Sequence, residues 1–506
     1  MLFHLLNFLG KKYFQKRYIQ QVLPWQHQPQ KIQNQVFNYL IKTAQNTHFG
    51  REHSFNKIQN ILEFQKNVPV RTYETFFPYI EKILKGEKNV TWKGKIKWFA
   101  KSSGTTNDKS KFIPITSQSL HECHYKGGKD MLATYFHFYP NSKLYYGKAL
   151  SIGGSHQINP LNEHSHYGDL SAVLIQNMPF FYEFFRTPPK PIALMSEWES
   201  KIEAMANYTI KQNVTSIAGV PTWTVVLIQK ILQKTQKSHI QEVWKNLEVF
   251  FHGAVSFVPY RQQFAQLAPN LRYMEIYNAS EGYFAFQTEP SDSAMLLLLN
   301  HGVFFEFIPL EQVEKDFPDS VPITDLEIGK TYALVISTNG GLWRYHIGDT
   351  VTIAQKLPLK ILIAGRTQHF INAFGEELMV GNTDQALAYA CEKTGALIKD
   401  YCAAPIYFKG DLAGGHEWII EFEKLPDSPS HFFELVDRKL QELNTDYAAK
   451  RYKDMALRFP TFHIAPQGFF YEWLKRKGKL GGQHKVPRLS NHRKIMEEML
   501  ELLSQM

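Results

Sequence analysis

The sequence predicts an α/β fold: a large N-terminal domain of β-sheets with flanking helices, over residues 1–370, and a smaller α+β C-terminal domain, over 371–506. Three observations predict it. Between residues 148 and 282, short apolar runs ending in Gly- or Ser-containing turns alternate with helical stretches, the rhythm of a sheet covered on both faces. Ahead of them, two strand-like runs, Ile96 to Ala100 and Phe112 to Ile115, bracket a polar segment. Beyond Phe370 to Gly375 the chain reads helix, strand, strand, helix, strand, a compact unit of its own.

With 506 residues, the length prior is about three domains, and one large domain plus a smaller one fits as well. A hydrophobic content of 44% excludes wholesale disorder. No apolar run reaches the ~18 residues that a membrane span needs. The N-terminus, MLFHLLNFLGKKYFQKR, places its apolar run before its basic residues, the reverse of a secretory signal. It reads as an amphipathic helix packed on the body, with weak membrane-surface contact as the alternative. Cys123, Cys391 and Cys402 give neither a disulfide framework nor zinc spacing, which points to the cytoplasm. The net charge of +10 is spread along the chain. Attraction of small anionic substrates, or solubility alone, explains it without nucleic acid.

In chain order, residues 1 to about 95 read as mostly helical, with apolar residues at Ile32, Val36, Phe37, Leu40 and Ile41 near helical spacing. Val68 to Tyr73 reads as extended chain entering a helix that Thr72 or Glu74 starts. Ser102 to Thr116, SSGTTNDKSKFIPIT, follows. Its short hydroxyl side chains and Gly104 let backbone N–H groups converge on an anion, and Lys109 and Lys111 add charge. It is not a Walker A loop, because Asp108 stands where the glycine before Lys-Ser is required. A solvated Ser/Thr turn would use the same residues.

Ser117 to Tyr139 reads as a helix carrying His121 and His124, either a metal pair without a third ligand or part of a polar face. Strands are expected at Lys148–Gly153, Thr215–Val220, Val249–Phe251 and Arg272–Tyr277, with a helix over Val225–Lys234. Ligands in such folds sit at the carboxyl ends of strands. Tyr277-Asn278-Ala279-Ser280-Glu281-Gly282 lies at one such end, where a carboxylate can hold Mg²⁺ and a tyrosine can face a base. Trp343 to Asp349, WRYHIGD, is placed between strands Thr331–Ser337 and Leu359–Ala364, with Gly348-Asp349 closing a turn and Asp349 available to ribose hydroxyls.

The order SSGTT…K, YNASEG, WRYHIGD and GRTQHFINAFGEE resembles the acyl-acid amido synthetase family, a branch of the adenylate-forming superfamily, over nearly the whole chain. On that resemblance Ser102, Ser103, Gly104, Thr105, Thr106 and Lys111 bind ATP phosphates, with Asp108 in a position usually held by glycine. Tyr277, Ser280 and Glu281 match the second nucleotide motif, and Tyr345, Gly348 and Asp349 the third, with His346 where Arg is expected. Gly253 and Ala254 would border the adenine, Arg366 would contact ribose or phosphate, and Glu281 would hold Mg²⁺.

The resemblance further implies a mobile C-terminal domain hinged after Gly365-Arg366. Its lid lysine would be Lys485 in GGQHKVPR, with Lys479 in reserve. The implied reaction adenylates a carboxylic acid with ATP and passes the acyl group to an amine, typically an amino acid, releasing AMP and pyrophosphate. The acid would sit against Val220, Pro221 and Trp223, and near Ser151–Gly154, Leu170-Ser171 and Phe251-His252. No Gly-x-Ser-x-Gly elbow suggests an acyl-enzyme. A ligase of the same superfamily that uses coenzyme A or another thiol, and a non-catalytic nucleotide-binding protein, are the alternatives.

Overall fold

The computed structural model describes residues 2–102, 111–152, 159–163, 165–195, 197–254, 257, 261–289, 291–309, 312–313, 315–366, 370–371, 373–376, 378–407, 414–454, 456–477 and 486–506. The N-terminal part is helical, as its periodicity predicts. Helix Pro29–Ala44 buries Val36, Phe37, Leu40, Ile41 and Ala44, one stripe at three- and four-residue spacing. Helix Leu2–Arg17 lies on the body: Phe14 stacks with Phe136 and Tyr145 at 5.7 and 5.9 Å, and Arg17 meets the buried Asp130 at 2.5 Å.

Strands β1 (Trp98–Ser102) and β2 (Lys111–Ile115) pair antiparallel. β3 (Lys148–Ser151) belongs to the main sheet, whereas β4 (Asn159–Asn162) and β5 (Ser165–Gly168) complete a four-stranded sheet with the first two, in the order β2-β1-β5-β4. The main sheet continues with β6 (Arg186–Thr187), β7 (Val214–Gly219), β8 (Val249–Gly253), β9 (Arg272–Ala279), β10 (Gly282–Gln287), β11 (Met295–Leu297) and β12 (Val303–Pro309). It ends with β13 (Thr331–Thr338), β14 (Tyr345–Lys356) and β15 (Leu359–Arg366). Its eleven strands run β12-β13-β14-β15-β11-β10-β9-β8-β7-β3-β6. The β6-to-β9 half is parallel and the rest antiparallel. β8, VFFHG, is buried throughout, the pattern of a parallel strand covered on both faces.

After the short pair β16 (Phe370–Ile371) and β17 (Leu378–Met379), β18 (Leu397–Ile406), β19 (Gly415–Lys424) and β20 (Thr461–Ala465) form a separate three-stranded sheet. Its two-residue alternation serves two cores. Tyr401, Ala403, Trp418 and Ile420 join one with helix Pro429–Leu443, while Cys402, Ala404 and Ile419 join another with helices Phe469–Arg476 and Arg493–Gln505. The first core also holds Leu150, Ile217 and Trp223, so one apolar cluster extends from the C-terminal sheet to the parallel half of the large one. The last two helices and the β4–β5 strands fall outside the sequence reading; they are short or end-of-chain elements whose apolar faces need partners far along the chain.

Two expectations are corrected. Gly348-Asp349 does not close a turn between strands: both residues lie inside the twelve-residue β14. The His121/His124 pair does not share one polar face. His121 is exposed and His124 buried, and among the described residues no cluster of three His, Cys, Asp or Glu side chains could hold a metal. All three cysteines are free, as expected.

Candidate active site

The parallel strands end side by side. Ser151 pairs with Ala218, Gly219 with His252, and Gly253 with Ile276. Helix Pro221–Thr235 starts directly after β7, with Val220 at its cap and proline in its first turn, where a missing N–H costs nothing. Gly253 is required by close packing: a Cβ there would stand 2.3 Å from the Ile276 carbonyl oxygen. Ala254, the next residue, has φ +71°, a strained backbone at the strand's carboxyl end.

β9 and β10 form a hairpin whose turn is Ser280-Glu281, both half-buried. Tyr277, on the β9 arm, donates its hydroxyl hydrogen to Asp349 Oδ2 at 2.6 Å, and both side chains are buried. Asp349 owes its position to a bulge. Ala333 pairs with Thr350 and Val335 with His346, so Ile347, Gly348 and Asp349 together oppose Leu334. Gly348, at φ +93°, supplies the left-handed residue that the bulge needs.

Tyr73 touches the strand that leaves the first motif. Its hydroxyl oxygen accepts the Phe112 N–H at 2.8 Å, and Lys111 Nζ lies 5.8 Å from its ring centre. Burial first, then the carboxylates of Glu74 and Glu281, push the phenol up to about 12 against the lowering effect of the Phe112 N–H. Arg71, two residues before Tyr73, bridges to Tyr345 in parallel, accepts the His346 N–H at 2.8 Å and donates its own N–H to Arg344. Segment Val68–Tyr73 thus ties the first motif to the third.

Arg344 is a structural residue. Fully buried, it meets Glu306 at 3.0 Å and donates to the carbonyls of Gln65 and Val68 at 2.9 and 2.8 Å. At Trp223, Lys450 Nζ from helix Thr445–Arg451 lies 3.8 Å from the ring centre, and the Lys450 side chain also borders Gly375.

Lys111 touches Tyr73, segment Val68–Tyr73 pairs with the third motif, and Tyr277 bonds Asp349, while Ser280 and Glu281 form the turn that follows the Tyr277 strand. Gly253 and Ala254 lie on β8, next to β9. Val220, Pro221 and Trp223 stand at the head of the helix after β7. Ser102 and Arg366 are placed by backbone pairing, with Lys111 and Asp349 respectively. Ser103, Gly104, Thr105, Thr106 and Asp108 lie outside the described residues, as do Lys479 and Lys485. The chain after Lys485 is anchored: Arg488 pairs with Asp384 at 2.8 Å and its carbonyl accepts the Ala403 N–H. Tyr73, Lys450 and the bulge at Gly348 are additions to the sequence reading.

The sequence matches the GH3 family N-terminal domain over residues 18–273, the GH3 family central domain over 296–366 and the GH3 family C-terminal domain over 381–494. The 4-substituted benzoates-glutamate ligase GH3.12 of Arabidopsis thaliana is 21% identical over 92% of this chain and 94% of its own length. The indole-3-acetic acid-amido synthetase GH3.3 of the same plant is 24% identical, over 60% of this chain and 51% of its own. Among solved structures, AtGH3.15 acyl acid amido synthetase in complex with 2,4-DB superposes with a TM-score of 0.64 at 17% identity, over 97% of this chain and 96% of that one, which shows a shared fold. The chain belongs to the GH3 family of acyl-acid amido synthetases.

Proposed function

We propose that this protein adenylates a carboxylic acid with ATP and transfers the acyl group to the amine of an amino acid, releasing AMP and pyrophosphate. The observation that carries the proposal is the Tyr277–Asp349 hydrogen bond, which joins two nucleotide motifs distant in sequence. A carboxylate is a poor acyl donor because its oxygen leaves badly, and adenylation replaces that leaving group by AMP. The first step brings two anions together, so cations must be aimed at the α-phosphate.

In this reading Asp349 accepts from the ribose hydroxyls and Tyr277 holds it in place. Ser102, Ser103, Gly104, Thr105, Thr106 and Lys111 receive the phosphates, and Gly253, Ala254 and Ser280 line the base and the acyl-phosphate. Arg366, opposite Asp349, reaches ribose or phosphate. Val220, Pro221 and Trp223 wall the acid. Lys485 enters from a C-terminal domain spanning 371–506, closing on an N-terminal domain of 1–370. Glu281 offers an oxygen ligand for Mg²⁺, with nucleotide phosphates supplying others, as suits an ion that keeps few protein ligands. Bound there, it would neutralise phosphate charge. We place the reaction in the cytoplasm; no helix among the described residues is long and apolar enough to cross a membrane.

The test is a panel of carboxylic acids against amino acids and coenzyme A, read by mass spectrometry. Amides with AMP are expected, and thioesters alone would assign the protein to thiol ligation instead.

A further inference from the structure

The N-terminal helix has two unlike faces. Its inner face is fastened to the body. Asn7 donates to the Ser142 carbonyl at 3.1 Å and accepts the Tyr145 N–H at 3.0 Å, Gly10 lies against the Tyr145 ring, and Arg17 meets Asp130. Its outer face presents Phe8, Leu9 and Tyr13, all exposed, with Lys12 and Lys16 also exposed. Tyr145 also carries a second segment: Phe185 meets that ring edge-on at 5.2 Å, directly after the short turn Phe180–Phe184. Phe180, Phe181 and Phe184 in this turn are 77%, 56% and 63% exposed. Phe14 of the helix and Phe185 after the turn both meet the Tyr145 ring, so the two segments adjoin.

Three bare phenylalanines in one turn, beside a bare apolar helix face, exceed the scattered apolar exposure of an ordinary surface. Charge indicates what covers them. Residues 1–20 contain Lys11, Lys12, Lys16 and Arg17 and no Asp or Glu. In the turn, Glu183 is engaged by Arg186 at 2.9 Å. A second copy docked on this face by a two-fold axis would bring the same basic helix, which carries no acid of its own, into the interface. An anionic bilayer offers both requirements: a headgroup–acyl boundary for aromatic rings and phosphates for lysines.

We propose that this face docks on the surface of an anionic lipid bilayer, with Phe180, Phe181 and Phe184 entering the boundary region and Lys12 and Lys16 meeting lipid phosphates. The contact is peripheral. It is independent of the chemistry proposed above, so the failure of either reading leaves the other standing.

The experiment is co-sedimentation of the full chain with phosphatidylcholine vesicles and with vesicles that also contain phosphatidylglycerol. Binding to the anionic vesicles is expected to exceed binding to the neutral ones by about tenfold and to weaken in high salt. Phe180→Ser with Phe184→Ser, and separately Lys12→Glu with Lys16→Glu, should each reduce it by about tenfold. Thermal midpoints should stay unchanged, because all four side chains are exposed. Background binding to both vesicle types would overturn the proposal, as would binding unaltered in both double variants. A dimer in light scattering that both double variants abolish would reassign the face to self-association.

Discussion

Tyr277 and Asp349 share a 2.6 Å hydrogen bond although four strand steps separate β9 from β14 in the sheet order. A flat sheet would hold those strands roughly 19 Å apart, so the contact records how strongly the sheet curls. The bond fixes one carboxylate oxygen of Asp349. Tyr277→Phe removes a hydrogen bond to a charged acceptor, of about 1.5–3 kcal/mol. The expected result is a fall of about tenfold or more in kcat/KM for ATP, with KM for the acid within about twofold. Steady-state kinetics with each substrate varied in turn checks it.

Arg344 lies in the third motif, yet its guanidinium serves the core. Arg344→Met leaves Glu306 buried and unpaired, which should cost about 3–5 kcal/mol in urea unfolding. KM for ATP in the folded protein should remain within about twofold. A large change in KM with unaltered stability would place Arg344 at the nucleotide instead.

The contact of Lys450 with Trp223 joins the C-terminal helix Thr445–Arg451 to the head of helix Pro221–Thr235. Lys450→Met keeps the stem and removes the cation. A double-mutant cycle with Trp223→Leu should give a coupling of about 1 kcal/mol in unfolding free energy. Additive single effects would show that the ring and the ammonium act separately.

His124 is buried, and burial lowers its pKa to about 4. The unfolded chain therefore binds a proton near pH 6.5 that the folded chain refuses until about pH 4. Stability is present above the unfolded value and is lost as pH falls through that window, by about 2 kcal/mol at pH 5 relative to pH 7. His124→Leu should flatten the acid limb of a stability–pH curve by about this amount. His301, lowered to about 4 by burial first of all, retains the remainder of the slope. An unchanged slope in the variant would show that His124 is not the group titrating.

The order of the elements was legible because each carries a local signal: apolar runs for β7, β8, β9 and β13, and a helical stripe for Pro29–Ala44. The motif residues were legible as residue types at strand ends. What joins them was not. Tyr73 touches Phe112, and Trp223 touches Lys450, through tertiary contacts that no window of sequence contains. Gly348-Asp349 reads in sequence as a turn because a glycine followed by aspartate serves a turn and a bulge alike, and only the pairing of β13 with β14 decides between them. Arg344 carries the charge a phosphate would attract, and its burial against Glu306 is invisible until β12 and β14 are brought together.

The central claim is that Asp349, held by Tyr277, receives ATP while an acid is activated. Acid-dependent exchange of pyrophosphate into ATP tests it most directly, in the parent protein and in Asp349→Ala. The account predicts exchange that requires a carboxylic acid, falls by about a thousandfold in the variant, and is drained into an amide when an amino acid is added. Exchange of equal rate in the variant, or none with any acid of a broad panel, would contradict it.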